Sequence, residues 1–251
     1  MIQAAAIGRS LRIYYAPGRA AALDAHLRRF LGPGELGFDL GAHVGDRTAS
    51  FRRLGARALA VEPQPRLARL LRLLFRSDPG VTVLAALVGA AEGEAELRLN
   101  SANPTVATAS ADFVAAARDA EGWAEQRWDG TLRRPVTTLD ALIARHGPPH
   151  FAKLDVEGYE AEALAGLSRP LRALSFEFTT IQRDVARRCL DRLASLGPYR
   201  FNACLGEDAR FLFPRPRGAA ETAEWLEALP QAANSGDIYA SLDPERLTPS
   251  S

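Results

Sequence analysis

Apolar positions recur along the chain in two alternating rhythms. Over 20–31, Leu23, Leu27, Phe30 and Leu31 fall at helical spacing, and Gly32-Pro33-Gly34 ends the segment. The short apolar run 36–40, broken by Asp39, predicts a strand. A helix over 46–54 is closed by Gly55, a second strand over 57–61 ends in Glu62-Pro63, and leucines at 67, 70, 71 and 74 mark a strong helix over 65–75. The run 81–88 reads as one buried strand and 94–99 as an extra, alternating one. Later segments predict helices over 139–146, 160–167 and 185–196, and strands over 151–156 and 173–178. Late strand candidates are 200–204, 210–213 and 237–240.

Strands that alternate with helices imply an α/β fold, a mostly parallel central sheet with helices on both faces. Such sheets bind ligands beyond the carboxyl ends of their strands, where strand order reverses, so functional residues belong at strand-to-helix turns. The rhythm breaks over 100–135, a stretch rich in Ala, Ser and Thr that carries Trp123 and Trp128 and shows no strand signal until Pro135-Val136-Thr137. The 251 residues are read as a single domain over 1–251. Residues 1–35 form a helical lead-in, 100–135 an inserted substrate wall or lid, and 205–251 closing strand and helix elements.

Composition narrows the function. Lys+Arg is 31 and Asp+Glu 30, too balanced for broad nucleic-acid binding, so no nucleic-acid partner is expected. The longest uncharged apolar run, 81–91, is too short to span a bilayer, and no signal-peptide pattern opens the chain. A soluble, cytoplasmic protein without a membrane partner is the expectation. Cys189 and Cys204 offer neither a disulfide framework nor zinc spacing and read as core thiols. His26, His146 and His150 read as surface or packed residues. Arginine and alanine dominate in the manner of a GC-rich bacterial genome, and Lys153 is the only lysine.

The first strand runs into Asp39-Leu40-Gly41-Ala42-His43-Val44-Gly45-Asp46, which opens a helix. The glycines allow a tight turn and close approach of a ligand to the backbone, with helix-start N–H groups facing it. This is not the Gly-x-Gly-x-x-Gly dinucleotide fingerprint, which disfavours a nicotinamide oxidoreductase. An acid two residues before the first glycine suits a cationic ligand with an amino group and a sulfonium. Glu62, 21 residues after Gly41, can accept both ribose hydroxyls of a nucleoside.

These segments, with Thr138-Leu139-Asp140-Ala141-Leu142, Lys153-Leu154-Asp155-Val156-Glu157-Gly158 and Ser175-Phe176-Glu177-Phe178, resemble the FkbM family of class I S-adenosylmethionine-dependent methyltransferases. The likeness runs from about Leu36 to about Phe178. It implies a Rossmann-like fold with an antiparallel late strand, and S-adenosyl-L-methionine as donor. It further implies transfer to a hydroxyl on a small molecule, natural product or glycan. By the same likeness the donor lies on Asp39, Gly41, Ala42, His43, Gly45, Glu62, Pro63 and Leu87. His43 stands where many members have asparagine. The alternative function is a catalytically inert module that uses the same fold for binding or regulation.

Asp155 and Glu157, at the end of the central strand, are the candidate bases for a hydroxyl acceptor, and sit on one strand face if the strand reaches that far. Paired carboxylates could also hold a divalent metal, but no third ligand stands at convincing spacing, so no metal is expected. Lys153 alternates onto the face of Asp155 in a buried strand, where an unpartnered ammonium is costly. It is expected to pair with Glu177 or Asp155 and to orient the carboxylate there, completing the catalytic group. Trp123 and Trp128 suit stacking on a sugar or another flat acceptor, although Phe113 to Ala117 could instead form a helix on the sheet edge.

Overall fold

Strand β1 (Leu36–Leu40) is buried along its whole length, as its apolar run requires of a central strand. A computed structural model describing residues 2–249 places two helices before it, α1 (Ile2–Tyr14) and α2 (Arg19–Leu27). The chain continues through α3 (Asp46–Arg53), β2 (Arg57–Val61), α4 (Pro65–Leu74), β3 (Val81–Leu84), β4 (Leu87–Val88), β5 (Gly93–Leu99), α5 (Ala111–Arg118) and β6 (Gly130–Thr137). It then forms α6 (Leu139–His146), β7 (Phe151–Leu154), α7 (Glu160–Ala165), β8 (Ala173–Thr179), α8 (Arg183–Leu196), β9 (Arg200–Leu205), α9 (Ala219–Ala228) and β10 (Ser235–Ser241).

Seven strands make one sheet in the order β3-β2-β1-β7-β8-β10-β9. The pairs from β3 to β8 are parallel, whereas β10 runs antiparallel to both β8 and β9. This is the expected α/β fold with its antiparallel late strand. Strand order reverses between β1 and β7, so the carboxyl ends of these two strands frame the crevice.

Alternate residues of β1 serve opposite faces. Phe38 and Leu40 join Leu154, Phe176 and the buried faces of α6, α7 and α8. Gly37 and Asp39 face α3, where a Cβ on Gly37 would lie 2.6 Å from the Phe51 ring. On that side Phe30, Phe51, Phe151 and Tyr239 form an aromatic core, with Phe30 and Phe151 stacked at 4.8 Å. Each fully buried Phe contributes about 1.5–3 kcal/mol. Lys153 shares the face of Asp39, its register partner.

The structure departs from expectation at four elements. The run 81–88 is two strands: β3 is a half-buried edge of the main sheet, and the chain then turns so that β4 pairs with β6 in a separate three-stranded sheet. Strand β6 begins at Gly130 and includes Pro135. It tolerates the proline because β4 reaches only Val136 and Thr137, leaving one side of Pro135 without a strand partner. Strand β7 stops at Leu154, two residues early, because Glu157 and Gly158 take φ of 56° and 82° and turn the chain away. Segment 210–213 forms no strand. Leu212 N–H donates to Ala203 O and Phe213 N–H to the Asn202 side chain, single bonds that do not extend into a ladder.

Residues 100–129 form the connection between β5 and β6. Ser110 Oγ accepts from Phe113 N–H at 3.0 Å and starts α5, so the helical alternative for 113–117 is realised. Both tryptophans pack edge-on to Phe113, at 5.3 Å for Trp123 and 6.2 Å for Trp128. Their indole N–H groups donate to Asn234 Oδ1 and Val106 O. They brace the insertion and are not in the wall of the main cavity, contrary to the stacking role expected of them. Cys189 and Cys204 are buried free thiols, and His26 packs between Phe211 and Tyr239, each ring at 4.8 Å.

Candidate active site

The turn after β1 is fixed by its own backbone: the N–H groups of Gly41 and Ala42 both donate to Val61 O, at 2.8 and 3.0 Å. Gly41 has φ of 84°, and a Cβ there would overlap the Asp155 carbonyl oxygen. The left-handed turn and the close approach of the Asp155 carbonyl both demand glycine here. Gly45, at the start of α3, packs against Leu71 and does not line the cavity. Beneath the turn Asp39 is 1 % exposed and accepts from Thr48 Oγ at 2.5 Å. Burial pushes its carboxyl up to about 6, against that hydrogen bond.

Glu62 closes β2 with a preset geometry. Its Oε2 accepts from His43 N–H at 2.9 Å and its Oε1 from Gln64 N–H at 2.8 Å. Each oxygen keeps a lone pair for a further donor. Burial raises its carboxyl to about 7, with the two N–H groups pulling the other way. The His43 imidazole is edge-on to Tyr14 at 5.5 Å, and burial lowers it to about 4, so it is neutral at pH 7. Its Nε2 is buried without a hydrogen-bond partner.

These residues wall a cavity at the carboxyl ends of β1, β2 and β7. Of the sequence candidates, Asp39, Gly41, Ala42, His43, Glu62, Pro63, Leu87, Asp155 and Glu157 line it. Sequence reasoning missed Tyr14, Arg47, Gln64, Thr105, Tyr159 and Glu207, which also line it. Arg47 and Gln64 directly follow motif residues, a signal that could have been used. Tyr14, Thr105 and Glu207 arrive from distant segments that carry no motif.

Lys153, 2 % exposed, lies under this cavity. Its Nζ donates to Asp237 Oδ1 and lies 3.3 Å from Asp155 Oδ2. The expected partnership with Asp155 is present; the one with Glu177 is not, and Asp237 takes that place. Strand β10 inserts beside β8 with Asp237 opposite Glu177, a register that no local pattern announces. Burial opposes the charge of Lys153, and Asp155 and Asp237 overcome it, holding the ammonium above the ordinary lysine range. Burial likewise opposes ionisation of Asp155, but Lys153 and Arg47 outweigh it and hold the carboxyl below its usual range.

Glu157 does not reach the cavity by strand alternation. Its left-handed backbone turns its carboxylate back toward Asp155. Glu177 joins them from β8, and one carboxylate oxygen from each of the three lies within 4.8 Å of the others. The third carboxylate that chain spacing does not supply thus comes from the neighbouring strand, which corrects the expectation of a mere pair. Burial first, then Asp155, pushes both Glu157 and Glu177 well above the ordinary carboxyl range. The cavity therefore joins Glu62, whose two oxygens keep acceptor capacity, to a carboxylate cluster at Asp155 that is able to take or share a proton.

A family model described as the methyltransferase FkbM domain matches residues 39–201, more than half of the chain. No curated protein matches significantly. Among solved structures, the chain is similar to methyltransferase FkbM from Methylobacillus flagellatus KT, at 15 % identity and a TM-score of 0.49 over 82 % of this chain and 43 % of that one. It spans less than half of that protein. It is also similar to an O-methyltransferase from Bacillus cereus in complex with SAH (13 % identity, TM-score 0.46, 95 % and 91 % covered). A TehB-like SAM-dependent methyltransferase from Corynebacterium glutamicum is a third likeness (13 %, 0.45, 93 % and 95 %). Among the described residues no helix is long and apolar enough to cross a membrane.

Proposed function

The chain belongs to the FkbM methyltransferase family, and from that premise we propose that it binds S-adenosyl-L-methionine and methylates a hydroxyl on a small molecule, natural product or glycan. The observation that carries this reading is the convergence, in one cavity, of Glu62 with its preset carboxylate and of Asp155 with its ionised one. The residues fit such a donor. Glu62 has free acceptor capacity on both oxygens for the ribose, Asp39 and the unpartnered Nε2 of His43 offer polar contacts for an amino-acid moiety, and Leu87 and Pro63 supply apolar wall.

When bound, the donor supplies an electrophilic methyl group on a sulfonium. The chain's part is to hold the acceptor oxygen about 3 Å from that methyl and in line with it. Asp155 receives the hydroxyl proton as the oxygen attacks, an assistance of about 10²–10⁴-fold. Lys153, tied to Asp237, acts as a positioning residue that fixes and ionises Asp155.

The test is transfer of an isotopically labelled methyl group to a panel of hydroxylated sugars and polyketides, with the methylated atom located by NMR. Methyl on oxygen supports the reading. Methyl on nitrogen or carbon, or donor binding without transfer to any hydroxyl, contradicts it.

A further inference from the structure

The carboxylates of Asp155, Glu157 and Glu177 are arranged as ligands rather than as a simple acid–base pair. One oxygen from each lies within 4.8 Å of the others. Two ligands on opposite sides of a divalent ion stand about 4.0–5.2 Å apart, at metal–oxygen distances of about 2.0–2.6 Å. The only lysine of the chain is beside them but is already engaged: its Nζ donates to Asp237, and it faces only one oxygen of Asp155. Acidic groups therefore crowd together there, which with burial holds Glu157 and Glu177 above the ordinary carboxyl range. Crowding of this kind is common without an ion and proves nothing alone.

A second observation points to a ligand. Beside Glu177 is a small pocket walled also by Gln182, Glu160 and Gly158. Gln182 is 6 % exposed, and its Oε1 is buried with no hydrogen-bond partner among the described residues. That oxygen reaches the Glu157-Gly158 turn, where a Cβ on Gly158 would collide with it. Glu177 Oε2 is also buried and unpartnered. Both oxygens are acceptors, so only a proton on Glu177 or a cation between them satisfies the two together. Buried acceptors left unmet are rare, because each forfeits its hydration. A cation meets the need of both.

From this geometry we infer that the chain binds one hard divalent cation, Mg²⁺ or Mn²⁺, through Asp155, Glu157 and Glu177, with the Gln182 carbonyl as an auxiliary ligand. All donors are oxygens, the set these ions prefer over zinc or copper. Asp155 and Glu157 also line the large cavity, so the ion faces the place assigned to the acceptor hydroxyl. There it lowers the pKa of a bound hydroxyl and orients its oxygen. That role rests on the proposed methyl transfer; binding of the ion does not.

The experiment is a Mn²⁺ titration of the chelator-treated full chain, following the EPR signal of free Mn²⁺, with neither donor nor acceptor present. Uptake of one Mn²⁺ per chain, competed by Mg²⁺, is expected. Glu177→Gln and Glu157→Gln should each weaken it by more than about tenfold, and Glu162→Gln, on the outer face of α7, should not change it. Near-ultraviolet circular dichroism checks the fold of each variant, and Glu157→Gln keeps the test open if Glu177→Gln does not fold. No uptake at about 1 mM Mn²⁺, or uptake indifferent to both substitutions, overturns the inference. Binding of S-adenosylhomocysteine is measured separately. A chain that binds it but takes up no Mn²⁺ overturns the metal site alone, and the reverse result overturns the donor site alone.

Discussion

Replacing Lys153 by methionine keeps most of the side-chain volume and removes a charge from the centre of the molecule. The residue is 2 % exposed, and its Nζ serves both Asp237 and Asp155. Asp237 is itself only 7 % exposed, so the substitution strands a carboxylate that water hardly reaches. Breaking one partner out of a buried pair costs about 3–5 kcal/mol. In a chain of this size that lowers the thermal midpoint by about 6–20 °C. Urea denaturation of the wild type, Lys153→Met, Asp237→Asn and the double variant measures it. The double variant should recover about 1–3 kcal/mol relative to additivity. The pH dependence has a definite sign. In the wild type the ammonium is raised and Asp155 lowered, so their contribution is present from above the ordinary carboxyl range up to the ordinary lysine range, and is lost beyond either end. In Lys153→Met, Asp155 loses the strongest of the charges that hold its carboxyl down, and burial pushes it up in the folded state. The variant therefore suffers less at about pH 5 than at about pH 8. A loss below about 1 kcal/mol, or strict additivity in the cycle, refutes the pairing.

Other substitutions separate architecture from chemistry. Gly41→Ala drives a methyl into the Asp155 carbonyl and should lose more than about 4 kcal/mol in urea denaturation; Gly34→Ala, at φ of 79° with open space around it, should lose only about 1–2 kcal/mol. Asp155→Asn should lower kcat by about 10²–10⁴-fold while calorimetric affinity for S-adenosylhomocysteine stays near wild type; a normal kcat moves the base role to Glu157. Trp128→Phe loses the bond to Val106 O and about 1 kcal/mol of stability, with acceptor KM unchanged; a raised KM would restore the tryptophan to the acceptor site.

The chemistry carried by contiguous motifs was legible in the sequence. Asp39 to Gly45, Glu62-Pro63 and Lys153 to Gly158 each lie at the carboxyl end of a strand, and strand ends on one side of a parallel sheet must meet. The partner of Lys153 was only half legible. Burial of an ammonium demands a carboxylate, but which one depends on β10 entering between β8 and β9, a long-range pairing. The third carboxylate was hidden for the same reason: Glu177 stands on β8, and chain spacing does not report that its side chain meets those of Asp155 and Glu157. The split of 81–88 was invisible because the composition of a buried strand does not tell a straight run from one that leaves its sheet midway. The tryptophans misled because an aromatic residue serves a helix brace as well as a ligand platform. Here Phe113 takes both indoles as neighbours.

The central claim is that the cavity between β1, β2 and β7 is a nucleoside-donor site with Glu62 as the ribose acceptor. Isothermal titration calorimetry with S-adenosylhomocysteine, on the wild type, Glu62→Ala and Glu62→Gln, tests it most directly. The account expects one site per chain, an affinity reduced by about 1.5–3 kcal/mol, or about 10–150-fold, in Glu62→Ala, and partial recovery in Glu62→Gln. No heat of binding in the wild type, or the same affinity in all three proteins, would contradict it.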